Sequence, residues 1–353
     1  MNPLKNCDIM TLAGTRPEVI KLSLFVKQFS DFNHTYVYTG QHYSKNMKDI
    51  FFDELDSSPD IDLAIHSSNV MTIKSKMLKL LQDVKPSILV VYGDTNSTLA
   101  GALAAKETGT KLVHIEAGLR SFDMRMPEEL NRIKTDHLSN YLFCPTSISK
   151  DYLRYENITK NVYVMGNLIA DVCKKISQVN NIKKFNLPKD FLLLTLHRTE
   201  NVDDIDTLLN LQKILQEVGH YHIVFPVHPR TKKILNSHNI KLPTNVMMID
   251  PLGYTEFISL LNNSRLVLTD SGGVQEESII LKKPCITLRH TTERPETILM
   301  GSNRLFPLLK NQENFADVVD EMFQIKFSQH PYGSSVAIKI SNKIKTILNE
   351  VKI

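Results

Sequence analysis

Three acids stand where chemistry is easiest to build. Asp94 follows the apolar run 88–92, Glu116 follows the run 112–115, and Glu128 opens a helical pattern just after Pro127. In open parallel sheets ligands lie outside the carboxyl ends of the strands, so acids there have a functional position. A carboxylate behind a strand as apolar as 112–115 is costly unless it is paired or used. Together the three acids are the material for moving a proton on and off carbon. Crowding them would raise the pKa of at least one, as such chemistry needs. Plainer alternatives stay open. Asp94 also suits a helix cap, and Glu128 shares a helix face with Arg132, four residues on, as a surface ion pair would.

Cationic and phosphate-ready stretches accompany the acids. In LVLTDSGGVQEES a short buried strand, 266–269, runs into the turn Ser271-Gly272-Gly273, and a helix is expected from Val274 onward. Unpaired N–H groups at such a helix end form a ready phosphate site. An ordinary strand-to-helix turn, with Glu276 and Glu277 in the first helical turn, fits as well. Gly14-Thr15-Arg16 forms a turn after the first strand, with Pro17 suited to the first helical position. Arg16 and Lys21 then lie near a positive helix end. No GxGxxG pattern occurs there, which argues against a dinucleotide cofactor. His197-Arg198 and His228 each follow an apolar strand in the second half, with no spacing that makes a local metal motif. HExxH and GxSxG patterns are absent too, so neither a metal nor a cofactor is expected.

Short β-rich runs alternating with longer amphipathic segments must position these groups. Strands are expected at 9–13, 36–39, 88–92, 112–115, 141–144 and 162–165, then at 192–196, 223–227, 246–249, 266–269 and 285–288. Helical patterns lie between them at 18–28, 72–83, 98–107, 128–138, 207–218 and 315–323. Such alternation predicts parallel sheets with helices on both faces, and 353 residues with eleven strands fit two Rossmann-like domains better than one. The expected division is 1–167, carrying the acids, and 168–333, with 334–353 as a helix packing back on the first domain. MTLAGTRPE and LLLTLHRTE echo each other as first strands, so their loops are expected to face each other across a cleft.

Composition narrows the partners. Net charge is +4 with Lys and Arg spread along the chain, which argues against a nucleic-acid binder. Cys7, Cys144, Cys173 and Cys285 are far apart, each in or beside an apolar run, and read as buried thiols in a reducing compartment. No signal-peptide stretch and no run of about 20 apolar residues occurs, so a cytoplasmic protein without a membrane partner is expected.

GTRPEVIKL, VYGDTNSTLAGALAA, HIEAGLRS, MPEELNR, LTLHRTEN, VLTDSGGVQEES and TTERPE occur in one collinear order over nearly the whole chain. In this the chain resembles the non-hydrolysing UDP-N-acetylglucosamine 2-epimerases. The resemblance implies a GT-B-like fold and a homodimer. The implied reaction inverts C2 of UDP-N-acetylglucosamine to give UDP-N-acetylmannosamine, by loss and re-addition of UDP through 2-acetamidoglucal. Asp94, Glu116 and Glu128 match the family's acid/base set, with Arg132 as its support. Lys21 and His197 match groups that contact the sugar-diphosphate and stabilise charge as it leaves. Arg16, Ser271, Gly272, Gly273 and Arg294 match diphosphate contacts, Glu277 the ribose ligand, and the stretch from Leu252 to Phe257 the flank of uracil.

Two departures stand out. Where substrate-activated bacterial members carry a QHREML-like sequence, this chain reads Gln41-His42-Tyr43-Ser44-Lys45-Asn46-Met47, without the Arg-Glu pair. SFDMRMPEELNR also resembles epimerases of UDP-2,3-diacetamido-glucuronate, the alternative substrate. A GT-B glycosyltransferase would share the cleft and the UDP site but would not need the paired acids Asp94 and Glu116.

Overall fold

The computed structural model describes residues 7–41, 52, 54–179, 187–310 and 313–352. The stretch 42–47, with its departure from the substrate-activated pattern, lies outside the described residues. The strands are β1 (Ile9–Ala13), β2 (His34–Tyr38), β3 (Ile61–Asp62), β4 (Ile88–Tyr92), β5 (Lys111–Ile115), β6 (Tyr141–Cys144) and β7 (Val162–Val164). They continue as β8 (Phe191–Thr195), β9 (His222–Pro226), β10 (Val246–Ile249), β11 (Leu266–Thr269), β12 (Cys285–Thr287) and β13 (Asn303–Leu305).

The chain divides into two compact units, Met1–Val172 with Pro331–Ile353, and Cys173–His330. The first division falls inside the helix Ile169–Ile176, a few residues past the boundary expected after 167. The first unit holds a sheet in the order β3-β2-β1-β4-β5-β6-β7, and the second a sheet in the order β10-β9-β8-β11-β12-β13. Among the described residues all pairings are parallel. Both are Rossmann-like, and β1 and β8 hold the same place in their sheets, as the echo in sequence predicts. Each sheet reverses direction of growth beside its first strand, at β1/β4 and β8/β11, where such sheets bind ligands.

The local reasons are plain. β1, β4 and β11 are buried along their whole length, as central strands covered on both faces must be. The helix Val70–Val84 buries Ile73, Met77, Leu81 and Val84 at helical spacing. In the last helix, Val336–Val351, Ile340, Ile344 and Ile347 are buried, and it packs on Arg16–Val26 within the first unit. Two strands escape sequence reading. β3 is only two residues long, and β13 is a short edge strand of sequence Asn-Arg-Leu, too brief for a periodic signal. The four cysteines are buried and form no disulfide. Among the described residues no helix is long and apolar enough to cross a membrane.

Candidate active site

In the first unit the loops after β1, β4 and β5 carry the expected residues. A Cβ at Gly14 would lie 2.0 Å from Ser97 Oγ, so only glycine lets the β1 loop approach the helix Asn96–Thr108 this closely. Glu18 ties the same loops together. Its Oε2 accepts the backbone N–H groups of Gly14 and Thr15, both at 2.7 Å. Its Oε1 accepts the hydroxyls of Thr95 at 2.8 Å and Thr98 at 3.0 Å. The helix starts at Arg16, not at Pro17, with Thr15 at its cap position and Glu18 accepting the Thr15 N–H. Arg16 is half-buried there.

Lys21, one turn further on, is buried and sets its Nζ 2.6 Å from Glu116 Oε2. Tyr92, the last residue of β4, donates its hydroxyl to the same oxygen at 2.5 Å. Glu116 itself sits at φ +72°, a left-handed conformation that non-glycine residues seldom adopt and that collects at functional sites. A Cβ on Gly93 would lie 3.6 Å from Glu116 Oε1, which puts this carboxylate alongside the Gly93-Asp94 turn. Asp94, partly exposed, pairs with Arg132. Arg132 also donates to Glu129 at 2.8 Å, and buried Glu129 accepts the N–H groups of Ser121 and Phe122 at 2.9 Å each. Glu128 is exposed on the first turn of the helix Pro127–Leu138. Asp94 and Glu116 are thus each paired with a cation.

Below the acids lies a buried network. His114, on β5, has Nε2 2.8 Å from the carbonyl oxygen of Gly93 and Nδ1 2.7 Å from Asp136 Oδ1. Asp136 Oδ2 pairs with Arg120 at 2.7 Å and accepts the N–H of Gly118 at 3.2 Å. Burial pushes the Asp136 carboxyl up, but the charge and hydrogen bonds of His114 and then Arg120 more than reverse this, and it titrates below its ordinary value. The network therefore holds the backbone just before Asp94 and just after Glu116.

In the second unit the helix Gly272–Ile280 begins two residues earlier than the expected Val274, with Ser271 at its cap position. Gly272 and Gly273 are therefore the first helical turn, whose N–H groups have no partner within a helix. Glu276 and Glu277 fall in the second turn, where the dipole does not explain them. Glu276 pairs with Arg294, whose Cζ would lie 3.9 Å from a Cβ on Gly272. Buried Glu277 accepts the Tyr254 hydroxyl at 2.9 Å. Leu252 and Phe257 pack on the apolar cluster that contains Val274.

His197 follows β8 with its ring half-exposed. Its Nδ1 is 3.1 Å from Asp270 Oδ1, and the backbone N–H groups of His197 and Arg198 donate to Asp270 Oδ2 at 3.0 and 2.8 Å. Burial pushes the Asp270 carboxyl up, yet the hydrogen bond and charge of His197, with those backbone donors, carry it below its ordinary value. An Asp on Nδ1 leaves Nε2 as the ring atom presented outward. Among the described residues no three His, Cys, Asp or Glu side chains are grouped to hold a metal ion.

The sequence model described as UDP-N-acetylglucosamine 2-epimerase matches residues 25–348. The chain belongs to this family. It is 45% identical over 347 residues to the UDP-N-acetylglucosamine 2-epimerase of Methanocaldococcus jannaschii, covering 92% of this chain and 94% of that one. It is 43% identical over 311 residues to the UDP-2,3-diacetamido-2,3-dideoxy-D-glucuronate 2-epimerase of Pseudomonas aeruginosa, covering 84% and 87% of the two chains. The crystal structure of the M. jannaschii UDP-GlcNAc 2-epimerase in complex with UDP-GlcNAc and UDP matches with a TM-score of 0.87 at 42% identity, over 97% of this chain and 99% of that one. This family member is accordingly a nucleotide-sugar 2-epimerase, an isomerase.

Sequence reading missed Tyr92, Glu129, Asp136, Asp270 and Tyr254, which hold the expected residues in place. A Tyr closing an apolar strand, or the second of two adjacent Glu residues, looks like core or surface until its partner is known. For Asp270 a signal existed, since a buried strand ending in Asp must pair that charge.

Proposed function

We propose that this epimerase interconverts UDP-N-acetylglucosamine and UDP-N-acetylmannosamine. A carboxylate takes the proton from C2, the C2–H electrons form the C1–C2 double bond, and the C1–O bond breaks with its pair leaving on UDP. A second acid, whose proton exchanges with solvent, then protonates the opposite face of C2 with the electrons of the double bond, as the diphosphate oxygen re-adds to C1. The observation that carries this reading is the pair of acids set against cations, Glu116 against Lys21, with the Tyr92 hydroxyl donating to it, and Asp94 against Arg132. Each such group can hold or release a proton without a redox partner. Glu128, exposed at its helix start, completes the acid/base set. His197, Arg16, Ser271, Gly272, Gly273 and Arg294 serve the diphosphate, Leu252 and Phe257 the uracil, and Glu277 the ribose. The UDP-GlcNAc and UDP bound by the M. jannaschii relative support the substrate. We further assign the acids, with Arg16, to a domain 1–167 and the other UDP groups to a domain 168–333. The chain acts as a cytoplasmic homodimer that supplies ManNAc units for surface polysaccharide, a reading supported by the family resemblance and tested by light scattering and fractionation.

The test is turnover of UDP-N-acetylglucosamine by the pure full-length protein in D2O, read by NMR. The expected product is the manno epimer with deuterium at C2, and an unlabelled epimer would sink the mechanism. UDP-2,3-diacetamido-glucuronate is run alongside, and turnover of that sugar alone overturns the substrate assignment. Asp94→Asn or Glu116→Gln should abolish epimerisation while UDP affinity stays within about threefold. A loss of UDP affinity as great as that from Ser271→Ala counts against the assignment.

A further inference from the structure

Glu277 lies four residues after Gly273, so both face the same side of one helix, a turn (about 5.4 Å) apart. A nucleoside diphosphate whose phosphates meet the first turn presents its next group, the ribose, at that height. A carboxylate there accepts from vicinal hydroxyls only if its plane is held, and Glu277 has three torsions of its own to fix. The Tyr254 hydroxyl fixes it, donating to Oε1 at 2.9 Å from the first residue of the helix Tyr254–Asn263. Cys173 Sγ lies 3.7 Å from the same hydroxyl and completes a chain of donors from thiol to phenol to carboxylate. Burial first, then the nearness of Cys173 and Glu277, hold the phenol well above its ordinary pKa, so it remains a donor at neutral pH. Nothing in the proton chemistry at C2 requires this phenol.

We propose that Tyr254 is a positioning residue that orients Glu277 to recognise the 2′- and 3′-hydroxyls of the ribose, making the protein selective for ribonucleotide over deoxyribonucleotide sugars. The proposal rests on the reading of Glu277 as the ribose ligand. Removing the phenol lets the carboxylate rotate, so the bonds to the ribose hydroxyls weaken while contacts to base and diphosphate persist.

Binding of UDP and 2′-deoxy-UDP to the full-length protein, measured by calorimetry, tests it. The wild type should prefer UDP by about tenfold, and Tyr254→Phe should narrow this to about threefold by weakening UDP and sparing 2′-deoxy-UDP. In a Glu277→Gln background the same substitution should change little. No preference in the wild type refutes the ribose assignment of Glu277 itself. A tenfold preference retained in Tyr254→Phe refutes the positioning role alone. Equal loss of both nucleotides makes Tyr254 a structural support and overturns the proposal. Should Tyr254→Phe fail to fold, Tyr254→Met, which also lacks the hydroxyl, is read against the same outcomes.

Discussion

Lys21 and Glu116 are 95 residues apart in sequence, and their side chains meet at 2.6 Å. Both are buried, and Tyr92 closes on the same carboxylate oxygen. Replacing Lys21 with Met leaves the carboxylate buried without its ammonium, and breaking such a pair costs about 3–5 kcal/mol. The expected outcome is a fall in melting temperature of about 5–10 °C, largely recovered in Lys21→Met/Glu116→Gln. Calorimetric melts decide it, and an unchanged melt in the single variant refutes the pairing.

Asp136 joins His114, Arg120 and Gly118, and through His114 the Gly93 carbonyl. Asp136→Asn presents an amide donor where the network supplies donors. Turnover should fall at least about tenfold while UDP affinity changes by less than about twofold, since the groups proposed for UDP, Arg16 apart, belong to the other unit. Steady-state rates beside UDP titrations separate this from general unfolding, which would lower both.

Asp270 titrates below its ordinary value in the folded chain. A depressed carboxylate contributes stability that is fully present above its unfolded pKa and is lost as pH falls through the folded one. The melting temperatures of wild type and Asp270→Asn should therefore differ most at neutral pH and converge as pH drops below about 4. Melts across pH check this, and a constant gap contradicts it.

Gly14→Ala drives a Cβ to 2.0 Å from Ser97 Oγ and 2.3 Å from Ser97 Cβ. Separating the loops should cost about 1–3 kcal/mol and displace Asp94's turn. Gly14→Ala/Ser97→Gly should regain part of the stability. Denaturant unfolding of both variants is the measurement, and equal midpoints would exclude the clash.

Strand–helix alternation made the two Rossmann-like sheets legible, because central strands such as 88–92 and 266–269 are buried on both faces and read as continuous apolar runs. Direction of travel is equally local: GTRPE, GDT, HIEAG, HRT and DSGG all had to emerge at strand C-terminal ends. What those loops meet was not local. That Tyr92 and Lys21 share one oxygen of Glu116 and that Tyr254 reaches Glu277 depend on contacts between distant segments. The edge strands β3 and β13 were likewise settled by hydrogen bonds that only the folded sheet supplies. Residue type and spacing determined which groups stand at the ends of the strands. Tertiary packing decided which charge faces which, because pairing energies fall off within a few ångströms and carry no trace in sequence separation.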